Sequence, residues 1–223
     1  MSGQEGSQYA TPLERVLLQI DSINQEDPHQ ELFSGQGYPK EWLYSQRMSR
    51  WLDRLRPDAP EALRIAVRAQ HVRRWAVPRD TYPADRTGYL TWRKGLYKFH
   101  ADTAADVMRA AEYEEETIER VRFLLLKKSI KTDADSQSLE DCACLVFLEH
   151  HLLDFADKTD QAKLLNILQK TWKKMSVQAQ GHALTLHYPP DIHALLARAV
   201  SEADGGIEDD GEEETSDEPG HAE

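Results

Sequence analysis

The stretch LEDCACLVFLEHHLLDF, Leu139–Phe155, decides the fold. At about 100° per residue, Leu145, Leu148 and Leu152 fall within about 40° of Asp141. Val146, Phe147, Ala143 and Leu153 cover much of the opposite side. A helix that is apolar on most sides lies buried at the centre of a bundle. The spacing therefore predicts a central helix over residues 139–155, with Ser138-Leu139-Glu140-Asp141 as a cap-like start. Asp141 then sits beside an apolar stripe, with Glu149 about 80° away and two turns on. A buried carboxylate without a partner is costly. A metal ion, an arginine, or the free N–H groups of the helix start would each compensate Asp141. Glu149 has a second reading, a salt bridge to an arginine on a neighbouring helix.

Helical periodicity continues outward from this segment, and no stretch alternates convincingly at period two. Thr11-Pro12-Leu13-Glu14 has the residues of an N-cap, a proline at N1 and an acidic first turn. It opens a helix through Val16, Leu17, Ile20 and Ile23 that ends at Asp27-Pro28. Pro39 opens the next, stopped at Pro57. A third carries Leu63, Val67, His71 and Trp75 at a spacing of four. Residues 77–88 read as a loop rich in turn formers. Helices are expected at 90–111, 114–128, 160–174, 176–186 and 191–203. The expectation is an all-α, single-domain bundle of about eight or nine helices over residues 11–203. Residues 1–10 read as a flexible N-terminus.

The formal net charge of −12 belongs to one end of the chain. Ten acids lie in residues 204–223, which hold no Lys or Arg, and residues 1–203 carry only −2. A Gly- and Glu-rich segment with one sizeable apolar side chain, Ile207, reads as a disordered acidic tail. Between Arg64 and Lys98 nine basic residues face only Asp80 and Asp85. Such a patch suits an anionic small molecule, with nucleic acid as a further class of partner; a solvated face or a dock for the acidic tail is the alternative. No window reaches 18 apolar residues, which speaks against a membrane span. The start lacks the features of a signal peptide, so a cytoplasmic or nuclear protein is expected. Cys142 and Cys144, two apart on a helix, cannot bridge one another and read as reduced core residues.

Polar residues in otherwise apolar positions supply the only chemistry. His71 lies on the inward ridge of its helix, and His100 borders the stripe Trp92–Leu96–Phe99–Val107. Together with Asp141 they form a candidate metal or phosphate site beside the arginine cluster. Each histidine taken alone also reads as a hydrogen-bonded core residue.

The segments RAQHVRRW, GYLTWRKGLYKFHAD, LEDCACLVFLEHHL and IDSINQEDP resemble an uncharacterised all-helical family, a domain of unknown function. Some of its members are labelled glutamyl-tRNA synthetase. The chain has no HIGH-type motif and no nucleotide-binding α/β pattern, so that label implies no activity here. A more distant similarity is to the HD metal phosphohydrolases, which bind a divalent metal through a His, a His-Asp doublet and a later Asp. That resemblance implies His71, His100 and Asp141 as metal ligands, spaced by 29 and 41 residues. His100-Ala101-Asp102 stands where the doublet would be, and on a helix Asp102 points about 200° from His100. The same resemblance implies Arg68, Arg74 and Arg93 as phosphate holders and Glu149 as a general base.

Two functions are expected from these residues. One is a metal-dependent phosphohydrolase of a phosphorylated small molecule or nucleotide. The other is a non-enzymatic binding module for nucleic acid or an acidic partner, regulated by the acidic tail. A carboxylate-bridged di-iron site ranks last, because the two Glu-x-x-His spacings, Glu26–His29 and Glu218–His221, fall at the Asp27-Pro28 helix stop and in the acidic tail, not on an expected helix.

Overall fold

The computed structural model describes residues 10–130 and 132–205. The acidic tail expected from residue 204 onward, beyond Gly205, and most of the expected N-terminal segment lie outside the described residues. Ten α-helices and one two-stranded hairpin make up the described chain, so the protein is all-α in class. Within the span expected as one domain, the described chain divides into two compact units. The first is built from the described residues of Met1–Asp53 and Pro57–Ser129, the second from those of Arg54–Arg56 and Ile130–Glu223. Among the described residues, no helix is long and apolar enough to cross a membrane.

The first unit opens with α1, Pro12–Asn24. Thr11 accepts from the Glu14 N–H, and the Glu14 side chain reaches back to Thr11 N at 2.7 Å. This is a reciprocal capping box on a proline-started helix. The next element is one that periodicity did not predict. Strands β1 (Gln30–Phe33) and β2 (Gln36–Pro39) form an antiparallel hairpin. Its two-residue turn, Ser34-Gly35, has φ of 51° and 80°. Paired left-handed residues match the twist of the flanking strands, and glycine reaches that region without strain.

Helix α2 spans Lys40–Leu55, α3 Glu61–Ala69, α4 Arg86–Ala110 and α5 Glu115–Leu125. Helices α1, α3, α4 and α5 pack on one another. Val16, Ile20, Leu63, Val67, Leu96, Met108, Ile118 and Leu124 are essentially without exposure. Burying each such side chain stabilises the fold by about 1.5–3 kcal/mol. Helix α3 stops earlier than its four-residue ridge suggested. It ends at Ala69, and Arg73 takes a left-handed φ of 57°, which breaks the helix. His71 and Trp75 therefore stand in a turn and a short 3₁₀ segment, not on the helix.

The second unit holds α6, Ala134–Val146; α7, Leu152–Ala156; α8, Gln161–Lys174; α9, Val177–Ala183; and α10, Pro190–Gly205. Helices α8 and α10 pack together, and α6 packs on α8 and α9. Leu139, Leu145, Leu148, Leu152, Leu168 and Ala179 are buried, as the apolar character of the central segment required. That segment departs from a single α-helix at 139–155 in two ways. Its start lies earlier, because Asp133 accepts from Ser136 N at 2.8 Å and caps the helix there. Its middle, Phe147–His151, is a π turn. A π turn inserts extra backbone and shifts the phase of every later side chain. Cys142 and Cys144 are buried thiols.

Candidate functional site

The site is built on the turn after α3. His71 is 4% exposed there. Its Nδ1 lies 3.1 Å from Glu41 Oε2 in the first turn of α2, and its ring stacks on Tyr44, one helical turn further on. The centroids of these rings are 4.1 Å apart and their planes 10° from parallel. Residues at i and i+3 share a helix face. Glu41 thus holds the edge of the imidazole and Tyr44 its face. Burial pushes the Glu41 carboxyl up, but the adjoining His71 and Arg74 outweigh it and hold the group below its usual range. An ionised carboxylate only accepts, so His71 Nδ1 carries the proton and Nε2 the lone pair of the singly protonated ring.

His100, in α4, obeys the same logic. Its Nδ1 donates to the Val72 carbonyl at 2.9 Å, and its ring centroid lies 6.0 Å from that of His71. Each histidine is thus fixed through Nδ1, one by a carboxylate and the other by a carbonyl. That is the orientation found in histidines whose Nε2 binds a metal or moves a proton.

Arg74 completes the cluster. Its Nη1 lies 3.4 Å from His71 Nε2 and its Nε 4.0 Å from Glu41 Oε1. Its guanidinium sits 4.9 Å from the Trp92 ring centroid. Trp92 in turn donates from Nε1 to the Val77 carbonyl at 2.9 Å, tying the loop to α4.

The turn and the helix that carry this pair are pinned from the end of α1. The Asn24 side chain, fully buried, accepts from Arg73 N at 3.1 Å. Asp27 accepts from Glu41 N at 2.9 Å through Oδ2, and from His29 N and His29 Nδ1 through Oδ1.

The other residues singled out in the sequence go elsewhere. Arg68 is mostly buried, and its Nε lies 3.5 Å from Asp21. Burial lowers its pKa and raises that of Asp21. Arg93, buried in α4, donates from Nε to the Tyr97 hydroxyl and lies over that ring. Asp102 pairs with Lys98 and Arg122, each at 2.6 Å, away from the His71 cluster as helix geometry required. The basic segment is largely consumed inside the unit. Arg64 pairs with Asp53, and Arg79 donates to the carbonyls of Tyr82 and Pro83.

Asp141 and Glu149 belong to the second unit. Asp141 stands in the third turn of α6, which removes the helix-start explanation of its charge. Its carboxylate accepts from Ser176 N at 2.8 Å, Ser176 Oγ at 2.6 Å and Gln137 Nε2 at 3.0 Å. It thereby fixes the residue that caps α9. Burial raises its pKa, and the Ser176 and Gln137 bonds offset only part of that. Glu149 lies on the π turn, 3.1 Å from His150 Nε2. Among the described residues, no group of three or more His, Cys, Asp or Glu side chains is placed to hold a metal ion. Within the first unit the imidazoles of His71 and His100 lie 6.0 Å apart between centroids, with the Arg74 guanidinium against His71.

Glu41 and Tyr44 carry no signal in the sequence, and Asn24 and Asp27 stand out there only as members of IDSINQEDP, with Asp27 at a helix stop. An acid in a first turn and a tyrosine one turn later carry ordinary explanations, and only the fold brings them to His71.

A family model described as "Domain of unknown function (DUF4202)" matches residues 14–196 of the chain. No curated protein and no solved structure matches it.

Proposed function

We propose, for a chain that belongs to the DUF4202 family, a phosphohydrolase activity on a phosphorylated small molecule or nucleotide, centred on His71. The observation that carries this reading is the Glu41–His71 pair at 3.1 Å with Arg74 at 3.4 Å from the outer ring nitrogen. Glu41 sets the tautomer and fixes the ring. His71 Nε2 takes a proton from a water molecule as its oxygen attacks phosphorus. Arg74 neutralises the charge on the phosphoryl oxygens. The ester P–O bond breaks, and the proton passes from Nε2 to the leaving oxygen. A positioned acid–base group of this kind accelerates such a step by about 10²–10⁴. His100, locked by the Val72 carbonyl, supplies a second imidazole in the same cluster.

A divalent metal would be held by His71 and His100 through Nε2, and would polarise the phosphoryl oxygens. The guanidinium at His71 Nε2 opposes a doubly charged ion there, whereas the single charge of the ring after it takes a proton is balanced by the Glu41 carboxylate 3.1 Å from Nδ1. The reading accordingly takes no step through a metal, and it uses neither Asp141 nor Glu149. Binding of an anionic ligand without turnover is the second reading. It is favoured by the stacking of Arg74 on Trp92, which spends part of the guanidinium on a fixed aromatic partner.

The test is phosphate release from p-nitrophenyl phosphate and a panel of nucleoside phosphates by the full chain. Each is assayed with added divalent ions and again after chelator treatment. Release that survives the chelator is expected. Release only with metal present would restore the metal-dependent reading, and saturable binding without release would favour the binding module.

A further inference from the structure

We infer that Asn24 and Asp27, in the segment IDSINQEDP at the end of α1, are positioning residues that set Glu41 against His71. The inference rests on the reading of the Glu41–His71 pair as the functional site. Its observations are independent of any activity. Asn24 is fully buried, and its Oδ1 accepts from Arg73 N at 3.1 Å. Arg73 is the left-handed residue, φ 57°, that turns the chain between His71 and the 3₁₀ segment of Arg74. A non-glycine residue stays in that region only where its surroundings hold it. Asn24 therefore holds the His71 side of the pair.

Asp27 holds the other side. Its side chain is 1% exposed, yet its partners are mostly backbone. Oδ2 takes the Glu41 N–H at 2.9 Å, an N–H that α2 itself cannot satisfy. Oδ1 takes His29 N, and Lys40 N donates to the His29 carbonyl at 2.9 Å. Asp27 thus clasps the base of the β1–β2 hairpin and fixes where α2 begins. Glu41 is the second residue of that helix, so a shift in its start moves the carboxylate directly. Two side chains three residues apart therefore register two segments that lie about fifteen and fifty residues downstream in sequence. Each acts through the backbone that carries a member of the pair, Arg73 N for Asn24 and Glu41 N for Asp27.

The experiment uses the full chain labelled with ¹⁵N in histidine. Imidazole ¹⁵N–¹H correlation spectra report the His71 tautomer, and phosphate release reports kcat and KM. Asn24→Ala and Asp27→Ala are compared with His29→Ala, which leaves Oδ2 on Glu41. Circular dichroism monitors folding. The expected result is a displaced or averaged His71 imidazole signal in Asn24→Ala and Asp27→Ala at native helicity. kcat should fall about 10–100-fold with KM little changed, as for other supporting partners of a functional histidine. His29→Ala should resemble the wild type. If one alanine variant unfolds, the other still decides the matter, and if both do, Asp27→Ser decides it, because its single short hydroxyl can serve His29 N but not also Glu41 N. Wild-type His71 signals in a folded Asp27→Ala or Asp27→Ser protein would overturn the inference. Absence of phosphate release by the wild type would instead overturn the functional reading, while the spectra still test positioning.

Discussion

Glu41 Oε2 lies 3.1 Å from His71 Nδ1, with both side chains 5% exposed. A buried carboxylate and a buried imidazole in such contact are strongly dependent on one another. Removing one partner of a buried pair typically costs about 3–5 kcal/mol, because the remaining charges lose their compensation. Glu41→Gln should lower unfolding free energy by an amount in that range in urea titrations at neutral pH. A change within experimental error would mean that the pair contributes nothing to the fold.

The pair also fixes a pH dependence. Glu41 has a folded pKa below its unfolded value, so it binds fewer protons when folded. Its stabilisation is complete above the unfolded pKa, about 4.3, and is lost as pH falls through the folded value. The stability difference between wild type and Glu41→Gln should therefore shrink on acidification below that pKa. A difference that is constant from about pH 7 to about pH 3 would contradict the shift.

Asp141 should behave with the opposite sign. Its folded pKa is raised above its ordinary value, chiefly by burial. Between the unfolded and folded pKa the native state binds more protons, so stability falls as pH rises through that window. Asp141→Ala should nonetheless destabilise by about 1–3 kcal/mol, because Ser176 N and Gln137 lose an acceptor. Circular dichroism melts would measure the loss, and phosphate release at a permissive temperature should be unchanged. Loss of release in a folded Asp141→Ala protein would return Asp141 to the site.

Gly88 tests the entry to α4. A Cβ there would stand 2.1 Å from the Pro83 carbonyl oxygen. The neighbouring atom is backbone and cannot swing aside. Gly88→Ala should therefore destabilise by about 1–3 kcal/mol, although alanine is the better helix former. Equal or higher thermal stability of Gly88→Ala would show that the loop yields.

Much of the helical framework was legible because its signals are local. The Thr11–Glu14 box and the Asp160 and Ser176 caps stand where their residue types imply. The hairpin is not legible because its strands are four residues long and neither alternates apolar with polar residues, leaving Ser34-Gly35 as its mark. The end of α3 was misread because the Leu63–Val67–His71–Trp75 ridge continues the apolar spacing past the point where Arg73 turns the chain. His71 and His100 were recognised as inward polar residues. Their partners were not, since Glu41 lies thirty residues before His71, and the Val72 carbonyl that holds His100 is backbone, with no signature in side-chain chemistry.

The most direct measurement is the rate of phosphate release by His71→Asn relative to the wild type, both shown to be folded, on the substrate of the panel that the wild type turns over fastest. A loss of about 10²-fold or more is expected, the scale of a positioned acid–base group. Equal rates in the two proteins, or no release by the wild type above a heat-inactivated blank, would contradict it.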